Sequence, residues 1–355
     1  MSDPGGAQLL SRIGSADDIA ALRSLRDEVH EQMEALLSEQ PVEQFYAILN
    51  EAHDALIKRT IALAEADLAR MGNSPPVPYA YLLFGSGGRE EQTLSSDQDS
   101  GLIYDDPDDE AERETARQYF ADLTQLIVET LQQVGYPPCE GNVISTNPDW
   151  CLSLSDWDNK LNGWFEEPDW ERVRYLLIVA DSRSIYGEDE LLEKLKGLFF
   201  SDMLENPVIV RHMLNNTMRH KVLVGVFGQL LRERYGEDAG SLDVKYGAYI
   251  PMVNAIRMMS IRAGLRETST LARIHSLHLM GKLSADDASA YTEAFRLFMR
   301  LRLMATERSL DGMYMNNGKL SSRKLTKELT DQLKTGLRIG KKLQRRVFRQ
   351  MNGMF

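Results

Sequence analysis

Residues Phe84 to Tyr104 read FGSGGREEQTLSSDQDSGLIY. The apolar, aromatic run Tyr79–Phe84 (YAYLLF) leads into this stretch and Gly101–Tyr104 (GLIY) closes it. Each run has the length and composition of a short buried strand. Between them stand a glycine cluster, Gly85-Ser86-Gly87-Gly88, and then the triplet Asp97-Gln98-Asp99. No Gly-Lys-Ser/Thr follows the glycines, so this is not a P-loop. The third glycine of a dinucleotide-binding G-x-G-x-x-G would fall on Glu90, so it is not that fingerprint either.

Side chains alternate along extended backbone, so Asp97 and Asp99 are expected on one face, ~6.5–7 Å apart at Cα. Two ionised carboxylates that close repel strongly unless a cation lies between them. Mg²⁺ takes one or two carboxylates and completes its shell with water and phosphate oxygens. Glycines let backbone N–H groups approach a phosphate without interference from Cβ. Ser86 adds a hydroxyl and Arg89 a planar cation. The combination suits a nucleoside triphosphate tail held against Mg²⁺ or Mn²⁺, and nucleotidyl transfer with pyrophosphate leaving. A solvated acidic turn is the plain alternative.

Outward from this stretch the texture is helical on both sides. Residues 15–71 carry apolar positions at helical spacing, with a capping-box start at Ser15 and Asp18 and a break at Pro41. Gly72–Pro78 (GNSPPVP) reads as a linker. A helix is expected from about Asp109 to Val134, a third strand at Asn142–Thr146, and a fourth at Val173–Ala180 (VRYLLIVA), which Asp181 would end. From about Leu191 helical periodicity dominates again, with a capped restart at Ser284. The expected architecture is α+β: a small mixed-sheet domain at 76–200, an N-terminal helical segment at 1–75, and a C-terminal helical bundle at 201–355.

Composition narrows the function classes. The 355 residues include 41 Lys and Arg against 53 Asp and Glu, a net charge of −12, so the surface as a whole is not that of a nucleic-acid binder. Residues 319–349 are the exception at +9, leaving −21 elsewhere; leucines interleaved with the cations make this an amphipathic basic helix. Two cysteines, Cys139 and Cys151, cannot form a disulfide framework or a CxxC pair. With no ~18-residue apolar run and no signal pattern at the start, a cytoplasmic protein without membrane association is expected.

The chain resembles the DNA polymerase β-type nucleotidyltransferase superfamily. The resemblance rests on Gly85-Ser-x-Gly-Arg89-x-Glu91 and Ser96-Asp97-x-Asp99-x-Gly101-Leu-Ile. Within the superfamily the chain is most similar to signal-transduction nucleotidyltransferases related to the nitrogen-regulatory protein uridylyltransferases. Cys139-x-Gly141, Asn147-Pro148-x-Trp150, Asp181-x-Arg183 and Tyr186-Gly187 extend the likeness. Gly240-Ser-Leu-Asp243-x-Lys245-x-Gly247 is similar to the family's helical substrate-binding domain.

The resemblance implies that Gly85 and Ser86 contact the triphosphate with help from Arg89, and that Asp97 and Asp99 bind Mg²⁺ or Mn²⁺. A third carboxylate would complete the catalytic set, with Asp181 and Glu140 both open as its source. Lys245 would contact phosphate or base, or else pair with Asp243. The implied activity is transfer of an NMP group from an NTP to an acceptor, expected to be a protein in a signalling pathway. The other two readings are a nucleotide-binding regulatory module without turnover and a transferase acting on RNA ends. Which NTP is used and the oligomeric state are not legible.

Overall fold

The computed structural model describes residues 4–37, 40–205, 207–217, 222–225, 229–233, 239–308 and 314–352. The chain divides into two compact units: Met1–Gln92 with Ser96–Gly163 and Asp181–Leu198, and Thr93–Ser95 with Trp164–Ala180 and Phe199–Phe355.

The first unit begins with three helices, α1 (Pro4–Gly14), α2 (Ile19–Leu36) and α3 (Val42–Arg70). The cap of α2 is Asp18, whose carboxylate accepts the Ala21 N–H at 2.8 Å, and not the expected Ser15. Pro41 stands at the start of α3, where a missing N–H leaves nothing unsatisfied.

β1 (Tyr79–Leu83) forms where its apolar run lies and is buried along its whole length. A single helical turn, α4 (Gly85–Gly88), follows it, and then β2 (Ser100–Tyr104). α5 (Glu110–Val134) is capped by Asp109 and stopped by Gly135, as its sequence signals require. β3 (Cys151–Ser153), α6 (Leu154–Glu166), α7 (Trp170–Val179), β4 (Arg183–Gly187) and α8 (Asp189–Glu205) come next. The four strands form one mixed sheet in the order β3-β2-β1-β4. In it β1 runs antiparallel to β2 and β4, and β2 parallel to β3.

Two expected strands are not strands. Asn142–Thr146 is turn, with Asn142 in the left-handed region, and the third strand falls later, at Cys151. Val173–Ala180 is the body of α7. A short apolar run does not by itself distinguish strand from helix. The deciding signal is Asp169, whose side chain accepts the Arg172 N–H at 2.9 Å and starts the helix. Burial at Val173, Leu176, Leu177 and Ala180 then follows helical spacing. The fourth strand is Arg183–Gly187, so Asp181 precedes it instead of ending it.

The register explains why the chemistry gathers at one end of the sheet. Leu83, the last residue of β1, pairs with Ser100 of β2 and Arg183 of β4. The glycine turn after β1, the Asp-x-Asp before β2 and Asp181 before β4 therefore lie at the same sheet end. Gln98 holds that end in register: its backbone N–H donates to Pro137 at 2.9 Å, and its buried side-chain amide donates to the Val128 and Tyr136 carbonyls at 3.1 and 2.7 Å. With Gln98 turned inward, its neighbours Asp97 and Asp99 turn outward.

In the second unit α7 packs with α9 (Pro207–Thr217), and the remaining chain supplies β5 (Leu242–Asp243), α10 (Ile250–Arg262), α11 (Thr270–Leu279) and α12 (Ala285–Met304). Three two-residue strands, β6 (Glu307–Arg308), β7 (Tyr314–Met315) and β8 (Lys319–Leu320), precede α13 (Lys327–Asn352). Ser284 caps α12, accepting the Asp287 N–H. The basic helix α13 buries Leu329, Leu333, Leu337, Leu343 and Val347, and Arg346 bonds Asp287 of α12 at 2.6 Å. Arg338, Lys342, Arg345 and Arg349 stay exposed. Among the described residues no helix is long and apolar enough to cross a membrane. Together the two units give the α+β class.

Replacing Gln98 with Ala removes both buried amide bonds and leaves the Tyr136 carbonyl without its donor. Urea unfolding is expected to show a loss of about 1–3 kcal/mol.

Candidate active site

Gly85 sits at φ +52°, in the left-handed region that glycine enters without penalty. A Cβ on it would stand 2.2 Å from Oδ2 of Asp99. The carboxylate thus occupies the room of the missing side chain, close against the turn's backbone. Gly88 makes a second close approach: a Cβ there would meet the Asp181 carbonyl oxygen at 2.0 Å. The glycines serve dense backbone packing as well as any ligand.

Asp97 is exposed and Asp99 half-buried. An oxygen of each lies with the sulfur of Cys139 in a group whose ligand atoms are all within 4.8 Å of one another. Nothing in the local sequence assigns Cys139 to this group. Its Sγ accepts the Gly141 N–H at 3.3 Å. Burial pushes the Cys139 thiol up to about 12, helped by the charge of Asp99, a hydrogen bond to it, and the charge of Asp97. Asp97 and Asp99 also line a small cavity with Gln92 and Gln98. The side-chain oxygens of both glutamines are buried without a hydrogen-bond partner.

Arg89 is not at the surface where a phosphate would meet it. It is 4 % exposed, donating from Nε to Glu91 at 2.8 Å and from Nη1 to Asp181 at 2.7 Å, with both acids equally enclosed. Glu90, at φ +57°, turns the chain so that Arg89 and Glu91 both face inward while Glu90 itself faces solvent. Asp181 is therefore held in a buried ion triad and is not part of the Asp97–Asp99–Cys139 group. Its strand, β4, lies beside β1, whereas β2 is the strand that follows Asp97 and Asp99. Glu140 is exposed in the loop next to Cys139 and is not in the group either.

The turn is anchored from below. Arg183 makes a two-pronged ion pair with Asp54 of α3, at 2.7 and 2.9 Å, and also donates to the Gly87 carbonyl at 3.0 Å. Asn50 of α3 exchanges hydrogen bonds with the Gln92 backbone, accepting from its N–H at 3.0 Å. Glu91 N–H donates to the Ser86 carbonyl at 2.8 Å. Ser86 itself is half-buried on the turn.

Lys245 belongs to the second unit. There Lys245 N–H donates to Gly318, and its ammonium lies 5.3 Å from the Tyr246 ring centre. No ion pair with Asp243 forms among the described residues. Asp243 instead accepts the Tyr246 N–H at 2.8 Å, and burial raises its carboxyl above the usual range. Structure thus brings Gly85, Ser86, Asp97 and Asp99 to one sheet end, with Arg89 and Asp181 buried behind them and Lys245 in the other unit.

The donor set fits a divalent cation. Two carboxylates, one exposed, stand beside a thiol, and Asp99 fits against the turn only because residue 85 lacks a Cβ.

Comparison with known proteins finds likeness in two stretches of the chain. Residues 27–171 match the family model described as "Putative nucleotidyltransferase DUF294". Residues 207–351 match that described as "Putative nucleotidyltransferase substrate binding domain". The chain is also 25 % identical over 277 residues to the bifunctional glutamine synthetase adenylyltransferase/adenylyl-removing enzyme of Burkholderia pseudomallei (strain K96243). That alignment covers 75 % of this chain but only 28 % of the enzyme, so the chain spans little more than a quarter of its relative's length.

Two substitutions separate cradle from support. Gly85→Ala should leave a folded protein, destabilised by ~1–2 kcal/mol from the left-handed backbone, while driving Asp99 out of place and abolishing cation-dependent nucleotide binding in calorimetry. Arg89→Ala should strand two buried carboxylates and lower unfolding stability by about 3–5 kcal/mol.

Proposed function

The chain belongs to the DUF294 nucleotidyltransferase family, and on that premise we propose that it transfers an NMP group from a nucleoside triphosphate to a hydroxyl of a protein acceptor, with Mg²⁺ or Mn²⁺ as cofactor. The observation that supports this best is the juxtaposition of Asp97 and Asp99 with the Gly85–Ser86 turn at one end of the sheet. In the proposed reaction the acceptor oxygen attacks the α-phosphorus. The bond to the oxygen bridging the α- and β-phosphates breaks, pyrophosphate leaves with the electron pair, and the hydroxyl proton passes to water. A bound divalent cation would screen the phosphate charge and favour the attacking oxygen as its alkoxide.

The chain's own residues have separate tasks in this proposal. Asp97 and Asp99 hold the cation. The Gly85–Gly88 turn offers backbone N–H groups and the Ser86 hydroxyl to the phosphates. Arg89 and Asp181 become positioning residues: their buried pair fixes the turn against the start of β4 without touching the nucleotide. Lys245 and the helical second unit are assigned to recognition of nucleotide or acceptor, in keeping with the description of the model they match. The relative's name makes ATP the first donor to test, and it is a protein-modifying adenylyltransferase by that same name. A signalling role in the cytoplasm belongs to the same reading.

One observation favours a second reading. No third carboxylate joins Asp97 and Asp99 within the described group. A chain that binds nucleotide without turning it over, as a regulatory module, would need none.

Pyrophosphate release from each of the four NTPs, followed with Mg²⁺ and cell extract as acceptor source, tests both. Release with one NTP is expected, falling at least ~10²–10³-fold in Asp97→Ala and in Asp99→Ala. Tight NTP binding with no release supports the regulatory module, and release that survives both substitutions contradicts the site.

A further inference from the structure

We propose that the exposed basic row of α13 is a docking surface for the protein acceptor, and that it binds an extended acidic segment of that protein. The inference rests on the proposed transfer to a protein and adds the chemistry by which that protein is recognised.

Helical spacing makes the row. Lys334, Arg338, Lys341, Arg345 and Arg349 recur every three or four residues, with Lys342 beside them, so they share one side of α13. At ~1.5 Å per residue the row runs ~22 Å and carries a cation every ~4.5–6 Å. The other side of the helix packs inward with α9, α10 and α12, burying Leu333, Leu337, Leu343 and Val347. Arg346 is also used within the unit, by Asp287 and the Lys282 carbonyl at 2.6 and 3.0 Å. On the row Arg338, Lys342, Arg345 and Arg349 are exposed. Two acids stand close to it, Asp331 at 3.9 Å from Lys334 and Asp287 at 3.6 Å from Lys342. Among the described residues the side chains of Arg338, Lys341 and Arg345 make no hydrogen bond or ion pair.

Two ordinary reasons for surface charge do not account for the row. Cations favour a helix C-terminus through its dipole, but that influence fades within the last turn. Lys334, Arg338 and Lys341 all stand before that turn. Solubility is already served by the net −21 outside residues 319–349, and the row partly cancels it.

The length and chemistry of the row suit a peptide. Side chains on one face of an extended segment are ~6.5–7 Å apart, near the spacing of these cations, and about seven residues span the row. Single-stranded RNA is held by aromatic rings that stack its bases, and Phe348 is the one aromatic residue of α13. A long polyanion would also run from the row onto a body of its own charge sign. Exposed charge steers encounter and register more than it tightens a complex, which fits an acceptor that must leave after modification. The stretch matching the model described as a substrate binding domain, 207–351, contains the whole row.

Fluorescence anisotropy of a labelled decaglutamate peptide, titrated with the full chain without nucleotide, tests the inference. The wild type and the Asp97→Ala/Asp99→Ala protein should bind it alike, and more weakly as salt is raised. Arg338→Glu/Lys341→Glu/Arg345→Glu should bind at least ~10-fold more weakly, and Arg338→Gln/Lys341→Gln/Arg345→Gln, in case charge reversal disturbs folding, at least ~3-fold. Decauridylate RNA, of similar charge, should bind more weakly than the peptide. Excess decaglutamate should slow the extract-dependent pyrophosphate release of the wild type.

No affinity for decaglutamate, or the same affinity in both row variants, would overturn the inference. Tighter binding of the RNA, or peptide binding that leaves release untouched, would overturn it as well. In each case release lost in Asp97→Ala would still uphold the proposed transfer. Release surviving both aspartate substitutions would contradict the transfer site and not the docking surface.

Discussion

A carboxylate stands where residue 85 would carry its side chain. The contact between Asp99 and the bare backbone of Gly85 is the constraint around which the first unit is arranged. For it to form, β1 must end in a turn with left-handed backbone, and β2 must begin one residue after Asp99. The antiparallel register from Leu83↔Ser100 to Tyr79↔Tyr104 meets both conditions. Gln98 keeps that register from slipping. A slip of one residue would send Asp97 and Asp99 into the core and Gln98 to the surface.

The buried triad of Arg89, Glu91 and Asp181 follows from the same crowding. Once the turn is pressed against the start of β4 closely enough that Gly88 has no room for a Cβ, a cation at residue 89 is enclosed and needs partners. Such a cluster contributes little net stability over an apolar one, because desolvation offsets much of the attraction. Its value here is directional: a planar guanidinium with two fixed carboxylates admits one arrangement of turn and strand. Arg183, braced on Asp54 and on the Gly87 carbonyl, repeats the device on the other side. Two arginines that a motif would assign to phosphate or surface thus hold the platform on which Asp97 and Asp99 are displayed.

Much of this was legible in the sequence. The two central strands, the glycine turn between them, the outward pair of aspartates and the helical character of both flanks all follow from local pattern and side-chain alternation. Long-range matters were not. Nothing near Arg89 announces that Asp181, 92 positions on, will enclose it. The run VRYLLIVA satisfies strand and helix alike, and only the Asp169 cap before it decides. A strand over that run would put Asp181 at its end, whereas Asp181 lies before β4. Local pattern does not place Cys139 beside the aspartates, because they lie 40 and 42 residues upstream and its own surroundings, Pro-Pro-Cys-Glu-Gly, look like an ordinary turn. The Gln98–Pro138 bridge that unites them is a tertiary feature with no local signature.

The central claim is that Asp97 and Asp99 hold a cation against a triphosphate on the Gly85–Ser86 turn. Crystals grown with Mn²⁺ and a non-hydrolysable nucleoside triphosphate test it most directly, because manganese can be located by its anomalous scattering. The account predicts an anomalous peak within bonding distance of both aspartates, with the phosphates against the turn. Manganese bound instead at Glu91 and Asp181, or a triphosphate seated away from the turn, would contradict it.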